Sequence, residues 1–326
     1  MDKKIIQINL SNNEKSLLKT ILYYNVFKHP LTKEELSNAF DKRDDSSIEC
    51  ALENLEKYKF ISSKKGYYFL PGEDQMVEER HKDEIHLAKY LRIARFMSHI
   101  IASCPFVRGV SLSGSISKGR IYESADIDFL IITEKGRLYV SRTLLTLFKK
   151  IFLFNSYKYF CLNYFVDTES LEFKERNRYA ATETITLIPT YNDKLFNKLI
   201  EANNWVKKMY PGFKRKDNTH VISGRIRPLK AMAELLLRNK LGNWIDDLLM
   251  NLTDKYRRKK FDHMSQAHFN HSFSSIKSVS RHHPDDYQNN AMTKFQKKME
   301  EIGNVYGIDL SDGELVKEIR LNAIKQ

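Results

Sequence analysis

Apolar positions in the first seventy residues recur with a helical period and then switch to a strand period. Leu17, Leu18, Ile21, Leu22 and Tyr24 share one helical face and predict a first helix ending near Lys28-His29-Pro30. Thr32, with Glu35 three residues on, makes a capping box and opens a second helix. Ile48, Ala51, Leu52 and Leu55 form one stripe and predict a third helix over 46–59. ISSKKGYYFLPG then reads as a hairpin turning at Lys65-Gly66. Three helices followed by a hairpin predict a winged helix within residues 1–75.

Helical spacing returns at 76–102, through Leu87, Leu91, Ala94, Met97 and Ile101, until Pro105 stops it. Beyond it the pattern alternates. Val107 to Leu112 is a strand, GSISKGRIYESAD a turn, Ile127 to Thr133 a second strand, Arg137 to Phe154 an amphipathic helix, and Tyr159 to Val166 a third strand. A helix over Arg176 to Leu187 ends before Pro189. From about Trp205 the chain reads as mainly helical, most clearly at Arg227 to Asn239, Trp244 to Lys260 and Asn289 to Ile302. Residues 263–286, rich in His, Ser and Asn, read as an irregular connection. The predicted class is α+β. It comprises the N-terminal winged helix (1–75), a connecting helix (76–104), a mixed-sheet domain (105–200) and a mainly helical C-terminal domain (201–326).

Composition narrows this picture. With 19 Phe and 17 Tyr against 7 Pro and 12 Gly in 326 residues, the chain is an ordered protein of long regular elements. Its net charge is +13, and residues 205–260 carry 15 Lys and Arg against 5 Asp and Glu. That balance suits a polyanion such as RNA or nucleotide. Cys50, Cys104 and Cys161 have no metal-ligand spacing and read as buried free thiols. MDKKIIQINLSNNEK lacks a long apolar core, which argues against a secretory leader and for a cytoplasmic protein. LLTLFKKIFLFNSYKYFCLNYFV is interrupted by three lysines and reads as a core helix leading into a strand, not a membrane span.

The chemistry concentrates in VRGVSLSGSISKGRIYESADIDFLIIT. Asp126 and Asp128 are two apart at the start of an apolar strand, so they share one face while Ile127, Phe129 and Ile131 take the other. Two neighbouring carboxylates ionise cheaply only with a cation between them. Mg²⁺ prefers such oxygen ligands and completes its shell with substrate phosphates. Upstream, Gly114, Ser115, Ser117, Lys118 and Gly119 form a small-residue turn where backbone can approach a phosphate and Ser115 can donate a hydrogen bond. A phosphate cradle beside a metal clamp is what nucleotidyl transfer requires.

This run resembles the signature of the DNA polymerase beta-like nucleotidyltransferase superfamily: Gly-Ser, about ten residues, then Asp-x-Asp on a strand, here Gly114-Ser115 and Asp126-Ile127-Asp128. The resemblance covers about residues 105–190. The flanks resemble a group of uncharacterised bacterial and archaeal nucleotidyltransferase-domain proteins through YYNVFKHPLTKEEL, the run at 137–142, Cys-Leu-Asn-Tyr-Phe at 161–165 and NNWVKKMYPGF. It implies a polymerase-beta-like mixed sheet that moves a nucleoside monophosphate from an NTP to an acceptor and releases pyrophosphate. Asp126 and Asp128 would hold Mg²⁺ (or Mn²⁺), and Gly114 and Ser115 the terminal phosphates. A third carboxylate is expected on the third strand. Asp167, just past its end, is the favoured candidate; if Asn163 takes that place instead, the general base is missing and the domain binds nucleotide but transfers poorly.

Other candidates are weaker. Lys118, Arg137 and Arg142 are possible triphosphate contacts, each weighed against simple solvent exposure. His282-His283-Pro284-Asp285-Asp286 has poor geometry for a metal, and His263, His268 and His271 occupy a polar segment that could bind metal adventitiously. Trp205 and Trp244 fit packing stripes as core or interface residues. The third helix exposes Glu49, Glu53 and Glu56, with Asp44 and Asp45 nearby, which suits protein docking or dimerisation better than DNA. The basic region 205–260 is the better surface for an RNA acceptor; a small molecule or a protein side chain are the other acceptor classes. The rival reading is a degenerate transferase acting as a nucleotide-, nucleic-acid- or protein-binding module.

Overall fold

A computed structural model describes residues 8–43, 47–121, 126–156, 158–215, 221–222, 228–282 and 286–310. The chain is mixed α and β, with its strands in one small and one large sheet.

The N-terminal elements follow from their caps. Ser11 and Glu14 form a reciprocal capping box that starts α1 (Asn12–Asn25). The predicted box at Thr32 and Glu35 is present, but α2 (Lys33–Leu36) lasts only one turn. Ser47 caps α3 (Ile48–Lys57), which buries Ala51, Leu52 and Leu55. The hairpin of β2 (Ser62–Lys64) and β3 (Tyr67–Phe69) turns at Lys65 and Gly66, both at positive φ, and β1 (Leu31–Thr32) joins β3 to make a three-stranded antiparallel sheet.

The long α4 (Gln75–Ser103) leads into the main sheet. Its elements are β4 (Val107–Ser113), α5 (Gly114–Ser117), β5 (Asp128–Thr133), α6 (Leu138–Phe152), β6 (Cys161–Asp167), α7 (Arg178–Thr186), β7 (Ile188–Tyr191) and α8 (Asp193–Ala202). Then come α9 (Pro228–Leu237), α10 (Lys240–Lys260), α11 (Gln266–Ser272), β8 (Phe273–Ile276), β9 (Val279–His282) and α12 (Tyr287–Tyr306). The strand order is β7-β4-β5-β6-β9-β8, and only β5 and β6 run parallel, which is why a crossover helix, α6, must join them.

Sandwiching explains the apolar runs. Ile127, Phe129, Ile131 and Phe165 pack under α4 and α6, whereas Leu130, Ile132 and Val166 pack against Leu187, Phe196 and Leu199 on the other side. A strand covered on both faces reads as nearly continuous hydrophobic sequence. Each such Leu, Ile or Phe contributes about 1.5–3 kcal/mol on burial.

Two expectations change. Residues 263–286 are not an irregular connection: they supply α11 and the β8–β9 hairpin, and β9 pairs with β6. The C-terminal region therefore completes the main sheet. Its last helix packs elsewhere, with Met292, Phe295 and Met299 inserted among Leu17, Ile21 and Tyr23 of α1. Cys104 and Cys161 are buried free thiols, but Cys50 is exposed. Among the described residues no helix is long and apolar enough to cross a membrane.

Candidate functional site

The site forms where β4 ends. Ser113 pairs with Asp128, the first residue of β5, and Gly114 then turns the chain with φ +72°. A Cβ on Gly114 would lie 2.2 Å from Asp128 Oδ2, so both backbone conformation and space require glycine. The Gly114 carbonyl accepts the Ser117 hydroxyl at 2.9 Å and the Lys118 ammonium at 3.0 Å. Lys118 also donates to Glu183 of α7 at 2.7 Å. Ser115 is half-buried at the head of the turn, and its carbonyl accepts the Lys118 and Arg120 amides.

Behind the turn lies a charged network. Arg120 is buried, with ion pairs to Asp83 at 2.9 Å and Glu79 at 3.4 Å. Arg80, also buried, meets Glu35 at 2.8 Å, Glu84 at 3.2 Å and the His29 ring. Its guanidinium stands 3.7 Å from where a Cβ on Gly119 would be. Burial, reinforced by Arg80, Arg120 and Lys118, pushes the His29 imidazole well below its usual range. The turn is thereby packed against α4 and, through His29, the loop after α1.

Asp128 opens β5 on the face of Leu130 and Ile132, opposite Phe129 and Ile131, and Asp126 precedes the strand. Burial pushes the Asp128 carboxyl up to about 7; a hydrogen bond from the Cys161 thiol opposes this, the charges of Glu183 and Asp126 add to it, and Lys118 draws it back. Burial also raises Asp126, against the pull of Lys149 and Lys158. Residues 122–125, between the turn and this pair, lie outside the described residues. An ionised pair here is held against its preference, the circumstance a bound cation relieves.

The third strand presents Asn163. Its Nδ2 donates to Asp128 Oδ1 at 2.7 Å, across a register shift between Asp128 and Leu130 that re-aims the side chain. Asp167 is instead opposite Thr133, at the other end of β5, where its Oδ1 accepts the Glu169 amide at 3.0 Å. At about 3.3 Å per residue, that is roughly 16 Å along the strand from Asp128. The structure thus corrects Asp167 as the third carboxylate. It also corrects Arg137 and Arg142. Arg137 follows the far end of β5, is buried over the Phe106 ring, and donates to Asn243 and to the Gly136 and Asn239 carbonyls. Arg142 meets Thr253 of α10 at 3.4 Å.

Among the described residues no three His, Cys, Asp or Glu side chains converge as a metal site. The donor set at Asp126 and Asp128 still fits one Mg²⁺, because that ion is commonly bound by one or two carboxylates plus substrate phosphates. It does not supply a second, phosphate-independent ion. His263 is exposed and His282 stacks on Phe273, with ring centroids 5.2 Å apart, while 283–285 lie outside the described residues. Trp244 is exposed, and Trp205 is half-buried between two cores.

Three site residues escaped the sequence reading: Glu183, Cys161 as a hydrogen-bond donor, and Lys149. Lys149 was discoverable, since Ser141, Leu145 and Lys149 continue one buried stripe of α6. Glu183 carries no local signature; it arrives because β7 pairs with β4, with Ile188 opposite Leu112, and sets the end of α7 beside Gly114. No protein-family model, curated protein or solved structure matches the chain. The functional reading therefore rests on these residues alone.

Proposed function

We propose that this chain is a metal-dependent nucleotidyltransferase with a polymerase-beta-like core, moving a nucleoside monophosphate from an NTP to an acceptor and releasing pyrophosphate. The observation that carries this is the wedge of Gly114 against Asp128, with a 2.2 Å virtual Cβ contact. It puts the turn suited to phosphate and the carboxylate pair in one place. Asp126 and Asp128 would hold Mg²⁺ (or Mn²⁺), which when bound neutralises charge on the triphosphate.

The chain's own residues supply the rest. Gly114 admits the phosphates closely, Ser115 donates to them, and Lys118 offers a cation at the same turn. Asn163 fixes the Asp128 carboxylate by hydrogen bonding, so that Oδ2 stays turned toward Gly114. Positioning and charge complementarity then provide most of the rate. The basic C-terminal turn of α10, Arg257 to Lys260, suits an RNA or other anionic acceptor in the cytoplasm. The N-terminal unit, a winged helix by element order, suits protein docking, since α3 turns Glu49 and Glu53 outward.

A second reading is favoured by Asn163 itself. An amide cannot take a proton from an acceptor hydroxyl, so the domain would bind metal-nucleotide without transferring it. One assay separates the two. Protein, alone and with cell extract, is incubated with Mg²⁺ or Mn²⁺ and each α-phosphate-labelled NTP. Transfer predicts label on RNA, protein or a small molecule, lost in Asp126→Asn and Asp128→Asn. Turnover retained in both variants would sink the mechanism. Metal-dependent nucleotide binding with no label from any NTP selects the binding module.

A further inference from the structure

The geometry points to Glu183, on α7 and not on the sheet, as the group that takes the acceptor's proton in the transfer reaction. This rests on the transferase reading above and answers the question Asn163 raises there. Asn163 cannot act as a base, and Asp167 is at the wrong end of β5. Asp126 and Asp128 are committed to the cation. Among the described residues, Asp83 and Glu79 at the turn are taken up by Arg120, whereas Glu183 meets Lys118 at 2.7 Å, and Lys118 in turn meets the Gly114 carbonyl at 3.0 Å. Its charge also bears on Asp128 ahead of that of Asp126. The Glu183 side chain keeps a quarter of its surface exposed, which leaves room for an acceptor.

Lys118 then has two alternative partners. In the free protein it bridges Glu183 and the Gly114 carbonyl. A triphosphate at Gly114 and Ser115 brings several negative oxygens to the same ammonium and competes with the single carboxylate for it. Glu183, released, stands on α7 beside the same turn. In the transfer step the acceptor oxygen forms a bond to the α-phosphorus while the bond from that phosphorus to the bridging oxygen breaks. Pyrophosphate carries away that bonding pair, and the acceptor's hydroxyl proton passes to the Glu183 carboxylate. Lys118 thus couples nucleotide arrival to liberation of the base, so that the carboxylate is shielded until a substrate is present.

The test compares the wild type with Glu183→Gln and Glu183→Asp in two measurements. One is the transfer rate in the labelled-NTP assay. The other is the affinity for Mg²⁺ with a non-cleavable α,β-methylene NTP, by calorimetry. A general base predicts that Glu183→Gln slows transfer at least about a hundredfold, with affinity unchanged or a few-fold tighter because Lys118 has lost its competing carboxylate. Glu183→Asp should recover part of the rate. Glu183→Gln transferring within about threefold of wild type would overturn the inference and leave the transferase reading standing. Loss of affinity in parallel with rate would also overturn it, by making Glu183 a structural partner of Lys118. A wild type without metal-dependent nucleotide binding would overturn both readings together.

Discussion

The two ends of β5 carry comparable densities of charge and use it differently. Beyond Thr133, Glu234 is almost fully buried, yet its carboxylate accepts the Phe106 amide at 2.7 Å and two Arg108 nitrogens at 2.8 Å. Burial would raise its pKa, but those bonds and the nearby Lys230 hold it below the usual carboxylate range. At the other end Asp128 has an amide and a thiol for partners and two carboxylates for neighbours, and it is pushed up to about 7. The first cluster is scaffold, with opposite charges matched within the protein. At the second, the direct partners of Asp128 are neutral groups, and Lys118 acts on its carboxylate through space. Charge density alone would not have told them apart.

The sharpest way to break this comparison is Glu234→Ala. Removing one partner of a buried ion pair leaves Arg108 and the Phe106 amide uncompensated and is expected to cost about 3–5 kcal/mol. Urea denaturation checks it, and a loss below about 1 kcal/mol would show that the far end is not held by this pairing. Asp128→Asn should act with the opposite sign. The folded-state pKa is raised, so the penalty of keeping Asp128 ionised grows as pH rises from about 4 to about 7 and then levels off. With metal chelated, the Asn variant should therefore gain on wild type across that window, by about 1–2 kcal/mol. The gain falls short of the full displacement because the carboxylate stays half-exposed to solvent. Equal stability of the two proteins at pH 8 would contradict a strained carboxylate.

The smallest effect concerns His29, which ties the N-terminal helices to the turn. Its folded pKa is depressed, so the unfolded chain binds a proton that the folded protein refuses. Stability should be flat above pH 6.5 and fall below it, by at most about 1.4 kcal/mol per pH unit from this group. Melting curves between pH 5 and 7.5, compared with His29→Gln, isolate the contribution; identical slopes would show that His29 is not kept neutral.

Much of this was legible in the sequence because it is local. The capping box at Thr32, the Lys65-Gly66 turn and the stop at Pro105 all encode short-range geometry, and each falls where expected. What failed depended on pairing between distant segments. Whether Asp167 or Asn163 meets Asp128 is fixed by the β5–β6 register, and a register shift beside Asp128 decides it. Arg137 is a candidate triphosphate contact by its place at the start of the helix after the carboxylate strand, weighed against surface exposure, but α6 starts at the end of β5 remote from Gly114. The β8–β9 hairpin escaped because its strands, FSSI and VSRH, are only four residues long and lack the apolar alternation that marks a half-buried strand.

That hairpin also has a consequence for biosynthesis. Tyr164 of β6 pairs with Arg281 of β9, so the hydrogen-bonding edge of β6 stays open until more than a hundred further residues, through Arg281, have been made. An unpaired edge that includes Tyr164, Phe165 and Val166 is a template for intermolecular pairing in the interval. Closure of such a distant contact is slow in its own right. Yield from rapid, high-temperature expression should therefore be limited by aggregation of chains that have a finished Gly114 turn and an unfinished sheet.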